Sequence, residues 1–271
     1  MISIVIFVIE ILFLAYLGIK MIELSQVEIF SGFSSIVGIV FCFFLGSLMI
    51  IKYFRKKDRN LLLMGTIMIL ISQPWWPYAI TLMLFFAGGE CLPLRTYIII
   101  GLSLNIIVLI LGVFVMTNLM WEDKVKLVMA LTAIYGALYQ ALLFYAIFVD
   151  PSRFATLEGP LDVRYQSWLA LCLFLNIMLA FIFAIFFVRE ARKSEKPEIR
   201  LRGILYFTSI ILYAIGSILD AVLQLSLILL VIVRMLLTLS AFETYLAFAM
   251  PKWAKKLFLR KNFNRVETSE L

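Results

Sequence analysis

Eight predominantly apolar runs, each of twenty or more residues, succeed one another between Ile2 and Ala249. Water cannot reach the backbone of such a run inside a bilayer, so its N–H and C=O groups must bond within the segment. Helices are the spanning element that allows this. The runs are 2–23, 28–53, 61–87, 97–119, 126–149, 166–188, 203–223 and 226–249. Breaks fall at Arg55-Lys-Lys-Asp-Arg59, Gly88-Gly-Glu90, Glu122-Asp-Lys124, Asp150-Pro151 and Arg189 to Arg202. Only Leu223-Gln224-Leu225 separates the last two. A continuous helix over 203–249 would be about 70 Å long, so a tight hairpin at Asp220 to Ser226 is expected.

The composition agrees with a bilayer as solvent. The chain of 271 residues is 64% hydrophobic and 15% charged, and no interval between runs is long enough to bury its own core. The net charge of +7 comes from clusters between spans, which points to membrane orientation and away from nucleic acid. Nineteen of the 24 Lys and Arg residues lie at 52–59, 124–126, 189–202 and 252–265. With eight spans, all four clusters fall on one face together with both termini, and the positive-inside bias makes that face cytoplasmic.

The expected fold is therefore an all-α polytopic transmembrane helix bundle over 1–250, with a basic amphipathic cytoplasmic tail at 251–271. Trp253, Leu257 and Phe258 among the tail lysines suit an interfacial helix or a stop-transfer anchor. Met1-Ile-Ser-Ile begins without a basic segment, and no small-residue cleavage site precedes Lys20. The first run is expected to stay as a helix. Without it, seven helices remain, the plan shared by rhodopsins and G-protein-coupled receptors. That likeness is one of architecture, which does not carry function.

Arg234 is the residue that such a bundle least accommodates. It lies about 12 Å below the outer surface at 1.5 Å per residue, and arginine does not shed its proton there. It needs a partner, water or a path to the interface. Glu10, from the first span, is the expected counter-ion, and Asp220 is its rival; Glu243 lies on the opposite side of the same helix.

Other polar groups share the outer half: Gln73, Asn105, Gln140 and Asn176, from four further spans. Tyr206, Ser209, Tyr213, Ser217, Asp220 and Gln224 recur at steps of three and four, which places them in one stripe along the seventh span. Each amide taken alone is explained as interhelical glue worth about 0.6 kcal/mol. Their convergence at one depth around a charge points to a ligand pocket.

The third span carries Ser72-Gln-Pro74-Trp75-Trp76-Pro77-Tyr78. Two prolines remove two backbone donors and should kink or open that helix. Trp75 and Trp76 would then offer ring faces to an apolar or cationic ligand, or sit in the outer aromatic belt. Ser31, Ser35, Gly38, Cys42 and Gly46 form a small-residue stripe read as a packing face.

The ligand-binding candidates are thus Arg234, Asp220, Gln73, Trp75, Trp76, Asn105, Gln140, Asn176, Tyr213 and Ser217. No catalytic or metal-ligating residue and no cofactor is expected. The chain has no histidine, so histidine-based zinc, haem and nucleophilic sites are excluded. Cys42, Cys91 and Cys172 imply no disulfide framework. An enzyme is the least supported class.

The expected function is a sensor or receptor-like protein of the cell membrane. It would bind a small molecule or lipid in the outer half of the bundle and meet a cytoplasmic protein partner at 189–202 or the tail. A small-solute permease and a structural membrane protein are the alternatives.

Overall fold

The computed structural model describes residues 24–222 and 226–259. The expected first span with Glu10, the residue Gln224 and the end of the tail lie outside them. The described residues form α1 (Gln26–Lys56), α2 (Arg59–Leu70), a 3-10 turn (Gln73–Trp75), α3 (Trp76–Phe86), α4 (Leu94–Leu102), α5 (Asn105–Met120) and α6 (Val125–Phe148). After a short hairpin of β1 (Ala155–Leu157) and β2 (Val163–Tyr165) come α7 (Ser167–Lys193), α8 (Pro197–Val222), α9 (Leu227–Ala249) and α10 (Lys252–Phe258). Among these residues, seven helical segments are long and apolar enough to cross a membrane, with α2–α3 and α4–α5 each counting as one.

Local chemistry explains the helix ends. Ser25 and Glu28 form a reciprocal capping box at the start of α1, satisfying two orphan donors. Asp58 caps α2 by accepting from the Asn60 N–H, and Ser226 caps α9 by accepting from that of Leu229. α8 ends at Val222 and α9 begins at Leu227, so two helices replace the single one of about 70 Å that bilayer thickness forbids.

Two spans are interrupted, one as expected and one not. The run 61–87 opens at Gln73–Trp75, as its prolines predict. The run 97–119 also breaks, at Ser103–Leu104, where no proline stands. Two other helices are longer than expected: α7 continues to Lys193 and α8 begins at Pro197. The stretch 189–202, read as a break between spans and a place for a protein partner, is therefore mostly helix. Glu198 binds Arg202 at 2.8 Å and Lys255 at 2.5 Å, which ties α8 to α10.

Packing neighbours trace a ring: α1 against α2 and α9, α9 against α8, α8 against α7, α7 against α5, and α5 back against α2. α6 lies outside this ring, on α5. Its residues Leu127, Leu131, Ile134 and Leu138 are exposed, as are Phe33, Val37, Val40 and Phe44 on α1. Apolar faces of this extent are untenable in water and suit contact with lipid chains. α1 and α2 approach closely, and a Cβ on Gly46 would sit 2.7 Å from the Gly65 carbonyl oxygen.

The core divides into two main clusters. One, at the basic end, includes Met64, Ile67, Met116, Tyr206 and Ile210. The other, at the opposite end, includes Leu102, Leu109, Val113 and Val163. Between them the helices do not close.

Candidate functional site

The space between the two clusters is a cavity of about 200 Å³, bounded mainly by α2, α5, α7 and α8. On α8 its lining runs from Tyr206 to Asp220, a rise of about 21 Å. Toward the hairpin it is lined by Trp75, Tyr78, Asn105, Asn176, Tyr213, Ser217 and Asp220. Deeper, the lining is chiefly apolar, with Met64, Met116, Ala180 and Phe183. Tyr206 and Thr244 add polar atoms at the inner end.

The stripe on α8 explains how one helix supplies so much of this wall. Tyr206, Tyr213, Ser217 and Asp220 all line the cavity. Ser209 is fully buried instead, accepting from the Thr244 hydroxyl at 3.0 Å and donating to the Tyr206 carbonyl. Among the four, Asp220 carries the only charge. It lies beside Arg234, with Arg234 Nη1 3.0 Å from Asp220 Oδ2; Glu10, the other acid weighed for Arg234, lies outside the described residues.

Trp75 completes that cluster. Its indole N–H donates to Asp220 Oδ2 at 3.4 Å, and its ring lies 5.7 Å from the Arg234 guanidinium carbon. Arg234 Nη2 also donates to Ser31 Oγ at 3.4 Å. The 3-10 turn is thereby fastened to both closing helices, because Trp75 meets the acid of α8 and the base of α9. Arg234 itself does not line the large cavity. It borders a second space of about 30 Å³ with Ser34, Ser35, Gly38 and Cys42. Its Nε has no hydrogen-bond partner among the described residues.

Other candidates serve the frame. Gln73 is buried, and its amide bridges the two helix breaks. Nε2 donates to the Ile100 carbonyl at 2.7 Å and to Ser103 Oγ at 3.1 Å, while Oε1 accepts from the Leu104 N–H at 2.9 Å. It supplies the partners that the interrupted helix lacks. Trp76 turns away to donate to Ser72 Oγ at 3.0 Å, and its ring faces Phe43. Gln140 does not line the cavity either, and its Oε1 is buried without a partner among the described residues.

The two asparagines behave differently. Asn105 and Asn176 reach the cavity from the packed pair α5 and α7. Asn176 is 7% exposed; its Oδ1 accepts from the Tyr135 hydroxyl at 2.8 Å, and its Nδ2 has no partner among the described residues. A buried amide donor without an acceptor costs about 1–3 kcal/mol, so this position favours a ligand oxygen.

The hairpin roofs the end of the cavity away from the basic face, and this role was not legible as a site. Val163 and Tyr165 of β2 line the cavity. Leu161, before β2, accepts through its carbonyl from the Tyr97 hydroxyl at 3.0 Å, and Asp162 accepts from Tyr78 at 2.6 Å. The turn requires glycine at Gly159, which has φ +125° and where a Cβ would meet Glu28 at 2.8 Å. The sequence signal is the pair Ala155-Thr-Leu157 and Val163-Arg-Tyr165 flanking Glu158-Gly-Pro160. No protein-family model, curated protein or solved structure matches this chain, so its site is defined by its own geometry.

Proposed function

We propose that this is a sensor or receptor-like membrane protein that binds a small molecule or lipid in the cavity between α2, α5, α7 and α8. In this reading the chain has eight spans, the basic face carries both termini in the cytoplasm of a cell-membrane protein, and any protein partner meets that face. The observation that carries the proposal is the cavity's layered lining. Polar and aromatic side chains gather beneath the hairpin, and an apolar shaft continues inward, the arrangement of sites that orient an amphiphile.

A permease reading draws on the two interrupted spans, since broken helices line transporter sites. Here Gln73 joins the two breaks, which favours a fixed wall over a moving gate. Flux of candidate solutes into reconstituted vesicles would revive transport.

Gly112 offers a direct test, because it lines the cavity and a Cβ there would meet nothing within 4 Å. Gly112→Leu should fill the shaft without displacing the protein and should raise the melting temperature, since leucine also favours the helix. An amphiphile that stabilises the native protein should then lose its effect. If no amphiphile shifts the native melting curve, the binding reading fails. If the shift persists in Gly112→Leu, the ligand lies elsewhere.

A further inference from the structure

The chemistry of the lining narrows the ligand class, an inference that rests on the binding reading above. Among the described residues, Asp220 is the only acidic or basic one on the cavity wall. Its carboxylate is already matched by Arg234 at 3.0 Å and by the Trp75 N–H. Arg234 and Trp75 both bind Oδ2, so the pair is already neutral. A cationic head beside Asp220 would add a positive charge without its own counter-ion. An anionic head would face the carboxylate rather than the arginine, which does not line the cavity. Either leaves a charge unmatched inside the membrane, which is costly. A neutral head meets no such cost.

Hydrogen bonding sets the next requirement. Among the described residues the lining donor without a partner is Asn176 Nδ2, at mid-depth and covered by its neighbours. It meets a ligand when the amide turns toward the cavity, with Asn105 from the neighbouring helix on the same wall. A carbonyl or ester oxygen accepts there. Ser217, Tyr165 and the outer edge of Asp220 lie on the side toward the hairpin and suit hydroxyls. The shaft beyond Asn176 runs past Ile177 to Phe183 with Met116 on the facing helix. It is apolar and about 9 Å long on α7 alone, room for a single acyl chain.

We infer that the cavity takes a neutral, single-chain acyl amphiphile with a hydroxylated head, its carbonyl at Asn176 and its chain toward Met116 and Phe183. Monoacylglycerol is the simplest probe with this chemistry. The same chemistry is offered by a bilayer lipid and by an amphiphile arriving from solution.

The test is photolabelling of the full chain in lipid nanodiscs, followed by peptide mass spectrometry. Three probes share one diazirine-bearing acyl chain: a monoacylglycerol, the fatty acid and the alkylamine. The monoacylglycerol should label peptides containing Met116 and Phe183, and unlabelled monoacylglycerol should compete. The charged probes should not label them. Asn176→Leu should reduce this labelling at least tenfold. Gly112→Leu, which leaves both asparagines in place, should abolish it and covers the case in which Asn176→Leu does not fold.

Placing the probe in the bilayer in one arm, and supplying a short-chain soluble version in the other, distinguishes the two sources. Equal labelling by a charged probe, or labelling indifferent to Asn176→Leu in a folded protein, overturns the neutral acyl assignment and leaves the cavity as a site. Labelling confined to lipid-facing residues such as Phe44 and Leu138, with every probe, overturns both.

Discussion

Arg234 on α9 and Asp220 on α8 meet at 3.0 Å inside the membrane-spanning bundle, with both side chains largely buried. Removing either partner leaves the other charge without its counter-ion, at a cost of about 3–5 kcal/mol. Asp220→Leu and Arg234→Met should each lower the melting temperature strongly. The double variant removes both charges and should recover most of that loss. Equal destabilisation by the singles and the double, measured as a thermal double-mutant cycle, would mean that the pair is not coupled.

Gln73 links the two interrupted spans with one amide. Gln73→Leu leaves the Leu104 N–H and the Ile100 carbonyl without their partner, and each such buried group costs about 1–3 kcal/mol. Amide exchange at Leu104 should accelerate more than exchange in α9. Uniform acceleration across the bundle would instead indicate a general loss of packing.

Span order and the pairing of polar groups differ in how well the sequence announces them. The seven described spans follow from apolar length and charged breaks, because bilayer thickness acts on one coordinate, depth. The α8 stripe is also legible, since a spacing of three and four residues fixes a face. Direction about the helix axis relative to other helices is not. Gln73, Gln140 and Asn176 fall at similar depths, yet one mends a break, one stays off the cavity and one lines it.

The same limit applies to Arg234. Depth admits Glu10 and Asp220 alike, and the rotation of α8 against α9 brings Asp220 into contact. The break at Ser103–Leu104 carries no proline and depends on Gln73 from another span. The clue lay in Gly101, Ser103 and Asn105, polar or small residues clustered in one turn of an otherwise apolar run.

Acidity at the cavity roof yields a pH dependence. Asp162 is exposed on one side but accepts from the Tyr78 hydroxyl and the Val163 N–H on the other. Its carboxyl is held above the usual 3.8, chiefly by desolvation, which those hydrogen bonds partly offset. The folded state therefore binds this proton more tightly than the unfolded chain. Its contribution to stability is complete below 3.8 and is lost as pH rises through the raised folded value. Asp162→Asn should flatten that part of the stability profile. Melting curves of both proteins over the acidic range, reading the same slope, would assign the dependence to another group.

Gly38 and Gly46 lie on one stripe of α1, and the space around them differs. A Cβ at Gly46 would lie 2.7 Å from the Gly65 backbone oxygen, whereas one at Gly38 would meet nothing within 4 Å. A backbone atom cannot rotate aside as a side-chain tip can, so Gly46→Ala must push α1 and α2 apart. Overpacking of this kind costs about 1–3 kcal/mol, and Gly65→Ala should do the same, because a Cβ there would sit 2.8 Å from the Gly46 oxygen. Gly38→Ala removes backbone freedom from the unfolded chain and should gain up to about 1 kcal/mol. Thermal melts of the three variants should therefore fall on opposite sides of the native value. Were Gly46→Ala neutral, the α1–α2 contact would have to be looser than the glycine spacing implies.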